Sequence, residues 1–251
     1  TVCAAVVLGG LGFPVLRELR TRWRTPSMWT LHTRITVWGS VLLLVLGTAA
    51  FWAFEASSEG TLQQMSPAGQ LWGSIAGGVF PRTAGFNTVD YGLIKDETQA
   101  ITTGLMFIGG GSAGTAGGIK VTTFFLLGFV IWSEVRGEPD VTIGGRRINE
   151  SVQRQALTVA LLAVGLVAGS IVLTMIVTDL PAIDVSFEVV SAFATVGLST
   201  GITSELPPTA QIVLMSLMFI GRVGSITVAS AIALNTKHRH YRLPTERPIV
   251  G

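Results

Sequence analysis

The sequence predicts an all-α integral membrane protein made of repeated units, each with two crossing helices and a shorter re-entrant helix. Three observations predict this fold: the composition, apolar stretches of two different lengths, and an internal repeat. Nearly half of the 251 residues are hydrophobic and only 13% are charged, too apolar a composition for a soluble domain of this size. Its 30 glycines and 10 prolines lie largely within apolar stretches, which membrane helices tolerate because neighbouring helices satisfy the freed backbone groups.

The longer apolar stretches predict the crossing helices. Residues 37–54, 156–177 and 210–234 are each long enough to cross a hydrocarbon core of about 30 Å as a helix. Residues 99–132 are too many for one straight crossing, and six glycines interrupt them within residues 109–118. We therefore expect two half-helices there, joined by an irregular loop at membrane depth.

Two shorter apolar stretches predict re-entrant segments. Residues 71–80 and 185–194 are too few to span the membrane, so we expect half-length helices that enter it and turn back.

The distribution of charge predicts the orientation. Thirteen of the 17 basic residues lie within 17–34, 136–154 and 237–247, all on one side of the spans, which the positive-inside rule assigns to the cytoplasm. The opposite side carries only Arg82 and Lys95 among basic residues. Its excess of acidic residues favours cations at the outer mouth. These acidic residues are Glu55, Glu59, Asp90, Asp96, Glu97, Asp179, Asp184, Glu188 and Glu205.

An internal repeat supports the unit structure. The pentapeptide Leu-Met-Phe-Ile-Gly at 105–109 recurs at 217–221, and the Thr-x-Gly tripeptide at 83–85 recurs at 195–197 with the same offset. Two separate anchors at one offset indicate a duplicated unit. Val-Leu-Gly-Gly at 7–10 is similar to Phe-Ile-Gly-Gly at 107–110, so we expect the chain to open with the tail of an earlier unit and to be a fragment.

A half-helix followed by Thr-x-Gly within a membrane suits a selectivity filter, in which backbone carbonyls replace the water shell of a cation. A single such tripeptide would be a glycine turn between helices, but two copies at one offset, each after a non-spanning helix, favour the filter. The candidate filter residues are Thr83, Ala84, Gly85, Phe86, Thr195, Val196, Gly197 and Leu198.

Three stretches carry a resemblance to a known family. They are Pro-Arg-Thr-Ala-Gly-Phe-Asn at 81–87, the glycine-rich run at 109–120, and Phe-Ile-Gly-Arg-Val-Gly at 219–224. With them the whole chain resembles the membrane subunit of the Trk/Ktr/HKT potassium transporters. Trp-Thr-Leu-His-Thr at 29–33 is more similar to the Ktr branch.

The resemblance implies four helix–pore loop–helix units, potassium-channel-like and pseudo-fourfold around one pore in the full-length subunit. It implies a homodimer in a prokaryotic plasma membrane, in contact with membrane lipid and with a cytosolic nucleotide-binding regulatory subunit of the RCK/KTN type. K+ is the expected transported ion, with Na+ as a second candidate and as a candidate coupling ion. No covalent cofactor and no metal site is implied.

The resemblance also implies an intramembrane gate below the filter, with Arg222 projecting into the pathway as an electrostatic barrier. From the residues alone, the alternative for Arg222 is a structural ion pair or contacts with backbone carbonyls. Lys120 suits an anchor of the gate loop or a side chain that reaches the membrane interface. The implied gate residues are Gly109, Gly110, Gly111, Ser112, Ala113, Gly114, Thr115, Ala116, Gly117, Gly118 and Lys120.

The expected organisation divides the chain into six segments. Two are complete units, the third at 37–133 with a broken inner helix and the fourth at 154–236. The remaining segments are the end of the second unit's inner helix at 1–16, a cytoplasmic linker at 17–36, a cytoplasmic loop at 134–153 and a cytoplasmic tail at 237–251.

Other function classes fit less well. A secondary transporter with broken helices for an organic substrate is the alternative, although many such proteins use inverted repeats and both units here run the same way. The glycines of 109–114 match a dinucleotide-binding pattern, but that motif requires a preceding strand in a soluble βαβ unit.

An enzyme would need a catalytic cluster that no span carries. Basic residues beside the spans explain the positive charge better than nucleic-acid binding does.

Overall fold

The computed structural model describes the backbone of residues 1–234 and the side chains of residues 1–223. The tail expected at 237–251 lies outside these residues. The described part is mostly helical, as predicted, with one short two-stranded hairpin. Its helices are α1 (Val2–Leu11), α2 (Phe13–Arg22), α3 (Leu31–Glu55), α4 (Pro67–Val79), α5 (Asp96–Phe107), α6 (Val121–Val135), α7 (Glu150–Ile176), α8 (Ala182–Phe193) and α9 (Pro208–Leu234).

Helices α3, α7 and α9 cover the three predicted crossing segments. Their 25, 27 and 27 residues rise about 38–40 Å at about 1.5 Å per residue, enough to cross a bilayer core. Within the described residues, α3 and α7 are long and apolar enough to span a membrane, and α1 with α2 would be a third span if that bent pair counted as one. Helices α3 and α7 begin earlier than the predicted apolar stretches. Their first turns are polar, so hydropathy alone did not include them in the predicted spans.

Helices α4 and α8 are the predicted half-length helices. With 13 and 12 residues they rise about 20 Å and cannot cross the bilayer. Helix α4 packs tightly against α3 because glycines replace side chains at the contact. A Cβ on Gly77 would lie 2.4 Å from the ring of Phe51, and a Cβ on Gly78 would lie 2.4 Å from the hydroxyl of Thr48.

The broken inner helix of the third unit is also present. Helix α5 ends at Phe107 and α6 begins at Val121, with an irregular segment between them. In the fourth unit the corresponding helix α9 runs without interruption. The two units therefore differ at the position where the sequence predicts a loop at membrane depth.

The first segment departs from the expected continuous helix tail over 1–16. Helix α1 stops at Leu11, and α2 leaves it at an angle of 99°. Gly12 has a φ of +88°, and a Cβ there would lie 2.4 Å from the carbonyl oxygen of Ser112. Only glycine fits this bend without strain, because L side chains disfavour such a φ and no space is left for one.

The two segments expected to be cytoplasmic contain more structure than the expected linker and loop. The segment 17–36 includes the second half of α2 and the first turns of α3. The carboxylate of Glu18 accepts hydrogen bonds from the Thr30 backbone N–H at 2.9 Å and from the Thr33 hydroxyl at 2.5 Å, which fixes α2 to the start of α3. The segment 134–153 contains a two-stranded hairpin, Thr142–Ile143 and Arg146–Arg147, and the start of α7.

Two of the acidic residues expected at the outer mouth are buried instead. Glu55 is fully buried and accepts hydrogen bonds from the hydroxyls of Thr61 and Thr98, both at 2.5 Å. Glu188 is 5% exposed and is likewise engaged by neighbouring donors. Both carboxylates hold neighbouring loops in place through these hydrogen bonds.

One hydrophobic core joins the two units. Tyr91 of the third unit packs against Phe187 of α8 with ring centroids 5.7 Å apart, and Phe107 packs against Phe193 at 6.0 Å. This core holds the end of α5 beside the end of half-helix α8, where the second Thr-x-Gly loop begins.

Candidate ion pathway

The two Thr-x-Gly loops share an unusual backbone conformation. Thr83 and Gly85 have φ values of +64° and +71°, and Thr195 and Gly197 have +52° and +84°. The residue between the threonine and the glycine has no positive φ in either loop. A positive φ is strained for a β-branched residue, at a cost of about 1–3 kcal/mol. The same strained pattern in both copies indicates a functional backbone geometry and not two independent turns.

The two loops also touch each other. A Cβ on Gly197 would lie 3.2 Å from the Cα of Gly85, and a Cβ on Gly85 would lie 3.6 Å from the carbonyl oxygen of Val196. Both glycines are exposed. Backbone atoms therefore form the shared surface of the loops, and a larger side chain at Gly197 would crowd it.

The second loop is held from behind by helix α8. The hydroxyl of Ser191 donates a hydrogen bond of 2.6 Å to the carbonyl oxygen of Leu198. The carboxylate of Glu188 accepts hydrogen bonds from the hydroxyl of Ser199, from the backbone N–H of Thr200 at 3.1 Å and from the hydroxyl of Thr203 at 2.9 Å. These four contacts fix the last residue of the candidate filter and the chain that follows it.

The first loop is held through Arg82, a residue that sequence reasoning assigned to the outer mouth. Arg82 is only 7% exposed, and its Nη2 donates a hydrogen bond of 2.7 Å to the carbonyl oxygen of Gly109. The sequence signal for the burial of Arg82 was its position at the end of a non-spanning apolar helix. The ring of Phe86 is exposed and packs against the buried ring of Phe80, with the two centroids 6.3 Å apart.

The glycine-rich segment forms a loop closed at its base. Ile108 and Ile119 form a parallel bridge, in which the N–H of Gly109 donates to the carbonyl of Ile119 at 2.8 Å and the N–H of Ile119 donates to the carbonyl of Phe107 at 3.1 Å. The backbone N–H of Val121 donates to Gly110 at 3.0 Å. This pairing satisfies backbone groups at membrane depth, where unpaired ones are costly.

The far end of this loop lies against the first segment of the chain. The N–H of Gly111 donates to the carbonyl of Gly10 at 2.6 Å, and the N–H of Thr115 donates to that of Gly9 at 3.3 Å. Ala113, which has a φ of +59°, accepts from the N–H of Phe13 at 3.4 Å. The bend between α1 and α2 is therefore bonded to the loop.

The loop also lies directly against the second Thr-x-Gly loop. A Cβ on Gly117 would lie 2.4 Å from both the carbonyl oxygen of Ala194 and the hydroxyl of Thr195. Gly118, with a φ of +67°, would place a Cβ 3.1 Å from the side chain of Ala194. The glycines permit this approach, which leaves no space between the loop and the base of the candidate filter.

Two cationic side chains bind neighbouring carbonyls of the loop. Nζ of Lys120 donates a hydrogen bond of 2.6 Å to the carbonyl oxygen of Ala116, and Nη1 of Arg222 donates to that of Thr115. The hydroxyls of Ser112 and Thr122 lie 3.1 Å apart and form a further hydrogen bond. The backbone-carbonyl alternative for Arg222 is thus present in the structure, and Lys120 anchors the loop to its own helix.

The two Thr-x-Gly loops thus form a backbone-lined surface beside the glycine-rich loop. The side chains of Lys120 and Arg222 hold that loop in its closed form. A model of the TrkH family, described as cation transport protein, matches residues 3–239. The chain belongs to the TrkH family. As a member of this family with apolar crossing helices, it is a multi-pass membrane protein, and a plasma-membrane location is consistent with both findings.

Relatives and a solved structure agree with TrkH membership. The chain is 35% identical to the Ktr system potassium uptake protein B of Bacillus subtilis, over 98% of this chain and 55% of that protein. It is 33% identical to the potassium/sodium uptake protein NtpJ of Enterococcus hirae, over 100% of this chain and 56% of that protein. The chain thus spans about half the length of these relatives.

The crystal structure of the potassium transporter TrkH from Vibrio parahaemolyticus has the same fold. The TM-score is 0.65 at 18% identity, and the match covers 93% of this chain and 51% of that one. Together with the Ktr relatives, this match confirms the predicted membrane fold and the resemblance to the Trk/Ktr potassium transporters.

Proposed function

We propose that this chain supplies two of the four pore units of a subunit that takes up K+ across the plasma membrane. The supporting observation is the backbone of the two Thr-x-Gly loops, which touch and share alternating positive φ values. In an extended chain successive carbonyls point to opposite sides. A left-handed residue at every second position turns the chain so that successive carbonyls can face one side, as cation coordination requires.

The filter of this proposal consists of residues 83–86 and 195–198. Their backbone carbonyls replace water around a dehydrated cation, and the hydroxyl of Thr195, which has no hydrogen-bond partner among the described residues, is available as a further oxygen ligand. Na+ is the second candidate ion, because one relative is named a potassium/sodium uptake protein.

The loop of residues 109–118, together with Lys120, is the gate of this proposal. It lies against the base of the filter, and its closed hydrogen-bonded form blocks an ion that has passed Thr195. Arg222 contributes twice: its guanidinium holds the carbonyl of Thr115, and its positive charge opposes a cation below the filter. Opening of the gate loop therefore requires its hydrogen bonds to Arg222, Gly9 and Gly10 to break.

Partners are part of the same proposal. Relatives named as components of a Ktr system support a multi-component assembly. We propose a homodimer of the membrane subunit with a cytosolic nucleotide-binding regulatory subunit on the cytoplasmic side, where the basic residues of 17–34 and 136–154 lie.

Uptake of radioactive Rb+ tests this function. The complete subunit carrying this sequence would be expressed, with and without a Ktr-type regulatory subunit, in cells that lack their own potassium uptake. We expect Rb+ uptake that K+ inhibits strongly and Na+ inhibits weakly. Well-expressed protein that takes up no Rb+ under either condition would contradict the proposal and favour a transporter of organic substrates.

A further inference from the structure

A cavity of about 390 Å³ lies beside the gate loop, between helices α6, α7 and α9. Pockets that bind small molecules typically measure about 300–1,000 Å³ and are mostly apolar with a few polar groups. This one extends from His32 and Gln155, near the cytoplasmic ends of α3 and α7, to Phe193 at the end of half-helix α8. It therefore extends from the first turns of α3 and α7, expected on the cytoplasmic side, to the level at which α8 ends.

Helix α7 provides an apolar wall of this cavity. Val159, Leu162, Ala163 and Leu166 line it at spacings of three and four residues, which places them on one face of the helix. Ala163 is 7% exposed, whereas Leu162 is 56% exposed. The cavity thus borders the lipid-facing surface of α7, and hydrocarbon can enter from the side.

The opposite wall belongs to the gate. Ser112, Gly118, Ile119 and Lys120 all line the cavity. Lys120 also binds the carbonyl of Ala116, so an occupant that presses on this wall contacts the residues that fix the loop. No acidic side chain lines the cavity among the described residues.

The lining of the cavity indicates which kind of molecule it can bind. A mostly apolar cavity takes up hydrocarbon more readily than water, because water needs several polar partners. Its polar lining at the cytoplasmic end, His32 and Gln155, lies near the level of lipid headgroups and includes no carboxylate to repel an anionic one.

We propose that this cavity is a binding site for one acyl chain of an inner-leaflet anionic phospholipid, with its headgroup beside His32 and Gln155 and its chain end against the gate loop. The site makes the gate loop sensitive to membrane lipid. This consequence rests on the proposed function, whereas the binding itself does not.

Photolabelling tests the site directly. The complete subunit would be reconstituted in vesicles of phosphatidylethanolamine and phosphatidylglycerol that contain phosphatidylglycerol with a diazirine at the end of one acyl chain. After illumination, mass spectrometry would locate the label. We expect labelled peptides from residues 118–126 and 156–166.

Two neighbouring substitutions provide a matched pair. Leu162→Trp narrows the cavity, whereas Leu161→Trp adds the same ring at a position that is 62% exposed and does not line it. Both positions are exposed, so both variants should fold equally well. We expect Leu162→Trp to reduce labelling of residues 118–126 several-fold and Leu161→Trp to leave it unchanged. Val159→Trp should repeat the loss from a second lining position.

Three results have distinct meanings. Equal labelling of the gate peptide in the Leu161 and Leu162 variants would overturn the site. Absence of label together with a cross-link between copies through this face would also overturn it and assign the face to a second subunit. Labelling as expected in a wild-type protein that takes up no Rb+ would support the site and contradict the proposed transport function.

Discussion

The guanidinium of Arg82 donates a hydrogen bond of 2.7 Å to the carbonyl oxygen of Gly109, which joins the first Thr-x-Gly loop to the base of the gate loop. The donor immediately precedes the candidate filter, and the acceptor is the first glycine of the proposed gate loop. The two loops are therefore joined by a charged hydrogen bond, a type worth about 1.5–3 kcal/mol.

Replacing Arg82 by Met should loosen the gate. The carbonyl of Gly109 loses its donor at membrane depth, so we expect a several-fold increase in basal Rb+ leak from vesicles, and a smaller one for Arg82→Lys, which keeps a donor. Arg154→Met is the control, because the Arg154 side chain is 79% exposed. Leak equal to that of wild type in a well-folded Arg82→Met protein would contradict this role.

Replacing Arg222 by Ala should increase ion flux. The substitution removes both the hydrogen bond to Thr115 and a positive charge near the pathway. We expect a several-fold higher Rb+ uptake rate, with Arg222→Lys intermediate because it keeps the charge. Loss of flux at unchanged expression would show instead that the contact is structural and that the open pore needs it.

Deleting residues Ser112 to Thr115 should produce a leaky pore. The deletion removes the part of the loop that binds Gly9, Phe13 and Arg222 but keeps the bridge at its base. We expect Rb+ leak in the absence of any regulatory subunit. A tightly closed deletion variant, shown to be monodisperse after purification, would refute the assignment of this loop as the gate.

Replacing Glu188 by Ala should weaken the second filter loop. The carboxylate of Glu188, itself 5% exposed, accepts hydrogen bonds from Ser199, Thr200 and Thr203, so its loss leaves these part-buried donors without their acceptor. We expect a loss of about 2 kcal/mol or more in the free energy of unfolding. We also expect weaker discrimination between K+ and Na+.

Glu205 supplies the control for that experiment, since it carries the same charge on the same side but is exposed. Glu205→Ala should change neither thermal stability nor selectivity. Equal effects of the two substitutions would show that Glu188 acts through general surface charge and not through its hydrogen bonds.

Hydropathy and the repeat predict most of the fold because the bilayer fixes the length of a crossing helix. The half-helices expected at 71–80 and 185–194 are found at Pro67–Val79 and Ala182–Phe193. The early starts of α3 and α7 escaped prediction because polar first turns add no apolar signal. The bend at Gly12 was missed because its cause is the distant loop at Ser112.

The sequence predicts which residues form the candidate site. It does not predict their backbone conformation or the hydrogen bonds between them. The Thr-x-Gly offset marked both filter loops, but no sequence pattern reveals that Thr83 and Thr195 have positive φ values. The role of Arg82 depends on a contact across 27 positions, and that of Glu188 on the folding back of the chain after α8. Such contacts arise from packing between units, which local periodicity does not record.

The most direct test of the filter is the effect of serine at Gly85 and at Gly197 on ion selectivity in reconstituted vesicles. Each substitution places a side chain where the two loops meet and where φ is positive. Gly137→Ser is the matched control, because Gly137 has a φ of +68° but lies in open space near the cytoplasmic end of α6. We would measure Rb+ uptake against competing K+ and Na+ in all four proteins. The account predicts that both filter variants lose discrimination between K+ and Na+ while Gly137→Ser retains it. Unchanged discrimination in folded Gly85→Ser and Gly197→Ser would contradict the account.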